Sequence, residues 1–278
     1  MTRESVRFLK NHGKSQPFFL ISSYLKPHDP FMPAQRFANM FRPEDMQIPD
    51  TYGKIDLATV PKEIRESITN DRVTPELRNH PENVKRHIAF YYASLAQMDD
   101  NIGIVLKTLR DLSLEGDTIV IYTTDHGEML GEHGLWQKTV FYEPSVGVPL
   151  IFRVPGITSP GTRCGTSVSQ VGVVATLLEL AGIPVPSGLD GASLVPDLRQ
   201  PQKTRDSTVF SEYALGSPRA KAMIRSGDFK YCYYANDTPE LYNLRDDPKE
   251  MNNLAQAPAQ QSRIEDLQAQ LFKWHKPA

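Results

Sequence analysis

The stretch "TIVIYTTDHGEMLGEHGLWQK", residues 118–138, gives the clearest indication of the fold. Its first seven residues are rich in β-branched and aromatic side chains, which is typical of a buried strand. A glycine-punctuated loop follows and carries six ionisable side chains: Asp125, His126, Glu128, Glu132, His133 and Lys138. So many charges directly after a buried strand indicate either a site for a metal and an anion or only a solvated turn.

Segments on both sides of this stretch alternate between strand and helix patterns. Apolar side chains recur at helical spacing in two segments, and the second is closed by Gly182. This alternation predicts an α/β domain with helices covering a mostly parallel sheet, and in such sheets ligands bind beyond the carboxyl ends of the strands. The predicted strands cover 17–23, 118–124 and 146–156. The predicted helices are 84–112 and a helix within 168–186 that Gly182 closes and Pro184 stops.

The pattern of the sequence changes beyond about Thr204, where long strand and helix segments give way to shorter ones. Short strand-like runs joined by tight turns lead to a last amphipathic helix, roughly Gln260 to Trp274. We therefore expect residues 1–203 to form the main α/β domain and residues 204–278 a small antiparallel sheet plus helix. The irregular segment 34–81 is interpreted as a long surface excursion with one or two short helices.

Composition excludes several classes of function. The 278 residues carry 31 Lys and Arg against 33 Asp and Glu, a net charge of −2, so no nucleic-acid footprint is expected. No apolar run approaches the ~20 residues that span a bilayer, and no signal-type block is present, which predicts no membrane partner and a cytoplasmic protein as written. Cys164 and Cys232 lie far apart and are interpreted as free thiols.

The charged loop offers a candidate metal and anion site. Asp125 supplies carboxylate oxygens for a divalent cation, and the adjacent His126 can complete a ligand pair or touch the bound anion. Lys138 could hold a sulfate or phosphate oxygen. The alternatives stay open, because Asp-His is a common dipeptide and a loop lysine is usually solvated. Glu132 and His133 are better explained as organising the loop than as a transition-metal cluster with Glu128.

A second charged loop, "KPHDP" at residues 26–30, is stiffened by its prolines. Rigid presentation of His28 suits a general acid or an oxyanion contact, with Lys26 as a second cation. A histidine that only caps the turn is the alternative.

Taken together, these motifs resemble the sulfatase family of the alkaline-phosphatase superfamily. The resemblance rests on "KPHDPF", "TDHGEMLGEHGLWQK", "YEPSVGVPLIF" and "ELYNLRDDPKEMNNLA", in that order along the chain. The closest-looking types are choline-sulfatases, iduronate-sulfatases and phosphonate monoester hydrolases. The resemblance implies an alkaline-phosphatase-like α/β fold, incomplete at its N-terminus, and the chemistry of a sulfuric ester hydrolase.

The resemblance also implies residue roles. Asp125 and His126 match the second pair of metal ligands, most often for calcium and in some members for manganese, and His126 can instead lie near the leaving oxygen. Lys138 matches the lysine that contacts the sulfate. His28 matches the histidine that contacts the sulfate or protonates the leaving alcohol. Lys26 matches a residue that recognises a substrate carboxylate or sulfate.

The chain departs from the family pattern at the nucleophile. The family uses a cysteine in C-x-P-x-R, oxidised to formylglycine, whereas Cys164 is followed by "GTSV" and Cys232 by "YYAN". The adjacent aspartates of the first ligand pair are also missing, because Asp99-Asp100 lies in a predicted helix and Asp246-Asp247 in the C-terminal motif. We therefore expect the chain to begin in the middle of the fold and to hydrolyse little or nothing alone.

Three functions remain open at this stage. The first is part of a sulfatase acting on a small sulfated substrate, such as a sugar, choline-like or aryl ester, with a missing N-terminal half or a second copy as partner. The second is a phosphonate or phosphate ester hydrolase of the same superfamily. The third is a non-catalytic remnant or anion-binding module.

Overall fold

A computed structural model of the chain describes residues 1–12, 16–69, 80–214 and 216–274. The chain divides into two compact units, the first formed by Met1–Pro49 with Val73–Ile119 and the second by Asp50–Arg72 with Val120–Ala278. The helices are α1 (Thr2–His12), α2 (Gln35–Ala38), α3 (Lys62–Thr69), α4 (Pro81–Asp111), α5 (Glu143–Val146), α6 (Gly172–Leu180), α7 (Val195–Arg199) and α8 (Gln261–Trp274). The strands are β1 (Val120–Thr123), β2 (Leu150–Arg153), β3 (Thr208–Tyr213), β4 (Lys221–Ser226), β5 (Phe229–Tyr234) and β6 (Glu240–Asn243).

The long helix α4 organises the first unit and packs against α1 and α2. Its buried side chains include Ile88, Ala93 and Leu109, as the apolar periodicity predicts. The helix begins three residues before the predicted start because Pro81 occupies its first turn, where a missing N–H costs nothing. The prediction of this helix is confirmed, and Asp99-Asp100 lies inside it.

The segment 17–23 is not a strand, so that prediction is wrong. Its side chains keep a strand-like alternation, with Phe19 and Ile21 about seven-tenths exposed and their neighbours half-buried. A strand also needs a ladder of main-chain hydrogen bonds to a neighbour, and within the described ranges no strand pairs with this segment. The local apolar pattern therefore indicated correctly that residues 17–23 are extended, but it could not show whether a neighbouring strand pairs with them.

The strands β1 and β2 pair antiparallel, with Thr123 opposite Leu150. The expectation of parallel neighbours is not met by this pair. A parallel pair needs a crossover connection, usually a long helix, whereas the intervening residues contain a folded loop and the one-turn helix α5. The charged residues after β1 therefore belong to the loop of a large hairpin.

The small sheet has the strand order β3-β4-β5-β6, entirely antiparallel, as predicted. The turn between β4 and β5 has two residues, with Gly227 at a φ of 57° that suits a glycine. The helix α8 packs on one face of the sheet, and the hairpin loop packs on the other. Successive side chains of a strand point to opposite faces of the sheet, and here each face packs against its own core. This explains why β4 is buried on both sides.

The segment 34–81 contains the predicted short helices α2 and α3. The description of this segment as a surface excursion is wrong around Val60 and Ile64. Both side chains are almost fully buried in the core of the second unit, Val60 just before α3 and Ile64 on its inward face. The part of the prediction that falls on residues 70–79 lies outside the described residues.

The helix α6 ends as the sequence predicts. Gly182 adopts a φ of 69°, its N–H donates to Glu179 O at 3.1 Å, and the N–H of Ile183 donates to Leu178 O at 2.9 Å. This is a Schellman motif, in which a left-handed glycine lets the last carbonyls find donors. Among the described residues, no helix is both long and apolar enough to cross a membrane.

Candidate active site

The loop of residues 124–142, called the site loop, is held by main-chain hydrogen bonds rather than lying open in solvent. The N–H of Gly127 donates to Ser145 O at 2.7 Å, and the N–H of Met129 donates to Gln137 O at 2.8 Å. A Cβ atom at Gly127 would lie 1.9 Å from Pro144 O, so only glycine allows this approach. Met129, Phe141 and Tyr142 anchor the loop in the core of the second unit.

His133 is one of the structural residues of the site loop. Its side chain is buried and its ring stacks on Tyr142 with 4.3 Å between centroids. The main-chain N–H of His133 donates to the Thr51 hydroxyl oxygen at 2.9 Å, and that hydroxyl in turn donates to the carboxylate of Glu132. Burial lowers the pKa of His133 to about 4, which keeps the ring neutral.

Glu128 also stabilises the loop from within. Its Oε1 atom accepts the N–H of Leu130 at 3.2 Å and the N–H of Gln137 at 2.5 Å. These bonds support the prediction that the extra acidic and histidine side chains organise the loop instead of forming a separate metal cluster.

Asp125 and His126 lie directly after β1 with their side chains close together. His126 Nε2 is 3.5 Å from Asp125 Oδ2, and the His126 side chain is one-third exposed. His126 Nδ1 lies 2.8 Å from Gly127 O, and because a carbonyl can only accept, this contact assigns the proton to Nδ1. The Nε2 lone pair is therefore directed to the same side as the Asp125 carboxylate.

The carboxylate of Asp125 is held in its ionised form. Partial burial opposes ionisation, but the neighbouring His126 and the hydrogen bonds from the His126 N–H and the Thr124 hydroxyl outweigh it, so that the pKa of Asp125 lies below its usual value.

These two side chains fit a divalent cation. A separation of 3.5 Å suits two ligands on one ion, since ligand bonds are roughly 2.0–2.6 Å long. The contact from Nδ1 to a main-chain carbonyl is also the usual way in which a ligating histidine is oriented. Within the described residues no group of three or more His, Cys, Asp or Glu side chains converges, so a cation held here would need ligands besides this pair.

Lys138 lies on the same loop, half-buried, between two residues with left-handed backbone. Gln137 has a φ of 64° and Thr139 a φ of 81°. Such conformations cost about 1–3 kcal/mol each in non-glycine residues and persist only where the surroundings hold them. The direction of the Lys138 side chain is thus set by the fold of the loop.

Lys26 and His28 lie in the first unit, in the proline-rich turn predicted from the sequence. Lys26 Nζ donates to Pro30 O at 3.0 Å, and His28 Nδ1 lies 2.8 Å from Asp29 O and 3.1 Å from Asp29 Oδ1. The turn therefore presents both side chains from one short proline-rich segment. The convergence of His28 with Asp125 and Lys138 involves both units and stays a prediction.

Sequence reasoning missed a group of buried charges beneath the site loop. Lys230 on β5 and Glu250 are almost fully buried, and Glu143 begins α5 beside them. A sequence signal existed, because Lys230 shares the parity of Cys232 and Tyr234 and so faces the same core. A lysine in an inward position of a buried strand requires acceptors for its ammonium group.

Comparison with known proteins identifies the family. The profile described as Sulfatase matches residues 1–183, and the profile described as N-sulphoglucosamine sulphohydrolase, C-terminal, matches residues 131–277. The chain belongs to the sulfatase family. Members of this family are generally metal-dependent hydrolases of sulfuric esters.

Two curated sulfatases align with most of this chain. Choline-sulfatase of Rhizobium meliloti is 36% identical over 248 residues, covering 87% of this chain and 47% of its own length. Arylsulfatase of Clostridium perfringens is 29% identical over 283 residues, covering 98% of this chain and 56% of its own length. The chain thus spans about half the length of these curated relatives.

The solved structures confirm the fold class. Phosphonate monoester hydrolase from Silicibacter pomeroyi superimposes with a TM-score of 0.84 at 26% identity, covering 97% of this sulfatase chain and 58% of its own. The alkaline-phosphatase-like α/β class that the motifs implied is therefore correct for this member of the family.

Proposed function

We propose that this chain supplies a metal- and sulfate-holding part of a sulfuric ester hydrolase that acts on a small sulfated substrate. The observation that carries the proposal is the paired Asp125 and His126 at the end of β1, on the same anchored loop as Lys138. Supporting it, relatives that align with nearly the whole chain are named for choline sulfate and aryl sulfate hydrolysis.

Each side chain has a defined role in this proposal. Asp125 Oδ2 and His126 Nε2 would hold a divalent cation, with calcium favoured by the carboxylate and manganese tolerated by the imidazole. When bound, the cation supplies Lewis-acid stabilisation of charge on the sulfate oxygens. Lys138 pairs its ammonium group with a sulfate oxygen and offsets the charge that develops on the leaving oxygen.

Two residues of the first unit complete the assignment. His28 holds a proton for the leaving alcohol, and Lys26 pairs with a carboxylate or sulfate group of the substrate. The rigid turn that carries them removes the entropy cost of ordering these side chains on binding.

The covalent step needs a nucleophile of a kind that these 278 residues do not encode. The family's formylglycine arises from a cysteine in C-x-P-x-R, and neither Cys164 nor Cys232 lies in that context. We therefore propose that this polypeptide by itself binds the cation and the anion but turns over sulfate esters slowly or not at all.

Calorimetric titration of the 278-residue protein tests this function. We expect calcium and sulfate to bind, calcium affinity to fall on Asp125→Asn, and sulfate affinity to fall on Lys138→Ala. Equal affinities in all three proteins would contradict the site. Hydrolysis of 4-nitrophenyl sulfate well above the Lys138→Ala control would instead contradict the claim that this polypeptide lacks a nucleophile.

A phosphonate or phosphate ester is the second candidate substrate, favoured by the likeness to the Silicibacter pomeroyi phosphonate monoester hydrolase. The same cation and lysine can hold either oxyanion. Tighter binding of methylphosphonate or phosphate than of sulfate, lost on Lys138→Ala, would support it. The missing nucleophile also suits an anion-binding module without catalysis, which predicts anion binding but no turnover even in a longer protein.

A further inference from the structure

A fully buried ammonium group links the small sheet to the site loop. Lys230 Nζ donates to Phe141 O at 2.7 Å and to Glu143 Oε1 at 2.8 Å, and lies 2.5 Å from Glu250 Oε1. Two of its three protons are donated in hydrogen bonds, and Glu250 Oε1 faces the group as an ion-pair partner. These contacts join strand β5 of the small sheet to Phe141, near the end of the site loop, and to Glu143, directly after the loop.

The acceptor Glu250 is itself held in place. It is buried, and its backbone adopts a φ of 53°, a conformation that a non-glycine residue keeps only when its surroundings demand it. Its second carboxylate oxygen accepts the N–H of Glu143 at 2.7 Å. Glu143 is therefore bound at its main chain by Glu250 and at its side chain by Lys230.

Two basic and two acidic side chains meet in this group, where burial raises the pKa of Glu250 to about 7 against the opposing effect of Lys230. Arg225 Nη1 lies 3.5 Å from Glu143 Oε2, so two cations face the two carboxylates. Burial alone would lower the pKa of Lys230, but Glu250, Cys232 and Glu143 outweigh it and raise that pKa above its usual value. These neighbours therefore favour the charged form of the ammonium group.

From Glu143 the contacts run to the residues of the candidate site. Ser145, two residues further on in α5, accepts the N–H of Gly127 at 2.7 Å, and Gly127 directly follows His126. Phe141, the carbonyl partner of Lys230, comes three residues after Lys138. The end of the site loop at Phe141 is thus bonded to the ammonium group directly, and its start at Gly127 is bonded to α5, whose first residue Glu143 pairs with the same group.

We propose that Lys230 is a positioning residue for the metal and sulfate site. It acts through Phe141 and Glu143, and it sets the path of the site loop on which Asp125, His126 and Lys138 are carried. The inference rests on the proposed function for what the loop binds. Buried ion pairs contribute little net stability over apolar contacts but impose a specific geometry, which is the property a binding loop requires.

The chain offers a matched control in Lys221. This lysine lies on β4, next to β5 in the same sheet, and is equally buried. Its ammonium group pairs with Glu63 of α3 and lies near the rings of Tyr213 and Tyr234. Loss of either lysine removes a buried charge from one sheet, but only Lys230 contacts the site loop through the partners described.

The test compares Lys230→Met with Lys221→Met by amide hydrogen exchange and by sulfate titration. For Lys230→Met we expect exchange at Gly127, Met129 and Glu143 to accelerate by about tenfold or more, with the amides of β4 and β5 still protected. We expect sulfate affinity to fall about tenfold, as for other residues that orient ligands. Lys221→Met should leave both readouts at their wild-type values.

A second variant covers the case in which Lys230→Met does not fold. Glu250→Gln keeps an amide oxygen that can accept the Glu143 N–H but removes the charge that faces Lys230. We expect smaller changes in the same direction. Unchanged loop exchange in Glu250→Gln, or equal loop exchange in the two lysine variants, overturns the inference.

The two proposals fail separately. If the wild-type protein does not bind sulfate, the proposed function fails, and the exchange comparison still decides whether Lys230 sets the loop. If sulfate binds and Lys138→Ala abolishes binding, but Lys230→Met keeps full affinity, the function stands and the positioning role is wrong.

Discussion

The Nε2 atom of His126 lies 3.5 Å from the Oδ2 atom of Asp125. This distance places an imidazole nitrogen and a carboxylate oxygen on one side of the chain, directly after β1. The hydrogen bond between His126 Nδ1 and Gly127 O fixes which nitrogen is available. The backbone bends at Asp125, directly after β1, and the two adjacent side chains lie at a separation that would suit a ligand pair.

The first prediction concerns cation affinity. Replacing His126 with Ala should weaken calcium and manganese binding about tenfold or more, since one of two ligands in the pair is lost. Calorimetric titration measures this change. The matched control is Asp206→Asn, an exposed acid on the same unit, which should leave affinity unchanged. Equal weakening by both substitutions would indicate diffuse electrostatic attraction instead of a site.

The second prediction concerns the tight approach at Gly127. A Cβ atom there would lie 1.9 Å from Pro144 O, so Gly127→Ala must push the loop away from α5. We expect the free energy of unfolding to drop by about 1–3 kcal/mol, measured by urea denaturation. The control is Gly103→Ala, in open space within α4, which should stabilise by roughly 0.5–1 kcal/mol through helix propensity. A neutral result at position 127 would argue against the close contact.

The third prediction concerns a buried carboxylate beneath the loop. Glu240 accepts hydrogen bonds from the hydroxyl groups of Tyr142, Tyr234 and Tyr242. Removing one donor with Tyr234→Phe should cost about 1–3 kcal/mol of unfolding free energy, because a buried carboxyl oxygen loses a hydrogen-bond partner.

The neighbouring residue provides the control for that measurement. Tyr233 faces the other side of the sheet, where its ring contacts Phe272. Tyr233→Phe keeps the ring and should change stability by less than Tyr234→Phe. Similar losses of unfolding free energy in both variants would show that the hydrogen bond from Tyr234 to Glu240 does not stabilise the protein measurably.

The fourth prediction concerns pH. Burial lowers the pKa of His133 to about 4, with Asp247 raising it slightly and Lys230 lowering it, against a usual value of 6.5. The unfolded chain therefore binds a proton between these values that the folded chain does not. The stability that His133 contributes is present above pH 6.5 and is lost as pH falls towards 4.

The variant His133→Phe isolates this contribution. It keeps a ring to stack on Tyr142 but cannot titrate. Between pH 6.5 and 4 the wild-type protein should lose about 2–4 kcal/mol more than the variant does, measured by urea denaturation at each pH. Parallel pH profiles for the two proteins would show that the folded His133 takes up a proton normally.

Much of the fold was predictable because it depends on local pattern. The helix α4 follows from apolar side chains at helical spacing, and the end of α6 follows from Gly182, since only a left-handed residue closes a helix in this way. The hairpin between β4 and β5 follows from the turn at Gly227. The candidate site loop was also predictable in outline, because its charges directly follow a strand pattern.

The remaining features depend on residues far apart in the sequence. The segment 17–23 has the composition of a strand, but a strand exists only with a ladder partner. The antiparallel pairing of β1 with β2 reflects how the intervening loop folds, which no local pattern encodes. The burial of Val60 and Ile64 depends on contacts with the small sheet, more than a hundred residues later.

The sequence by itself determined the sulfatase motifs, the long helix, the small antiparallel sheet and the order of charges in the site loop, because each is written in neighbouring side chains. Only the tertiary structure decided that Asp125 and His126 form a pair with a defined free nitrogen, and that Lys230 lies buried under the loop. Strand parity indicates that Lys230 faces inward, but its hydrogen-bond partners come from distant segments that only folding brings together, so no short stretch of sequence encodes them.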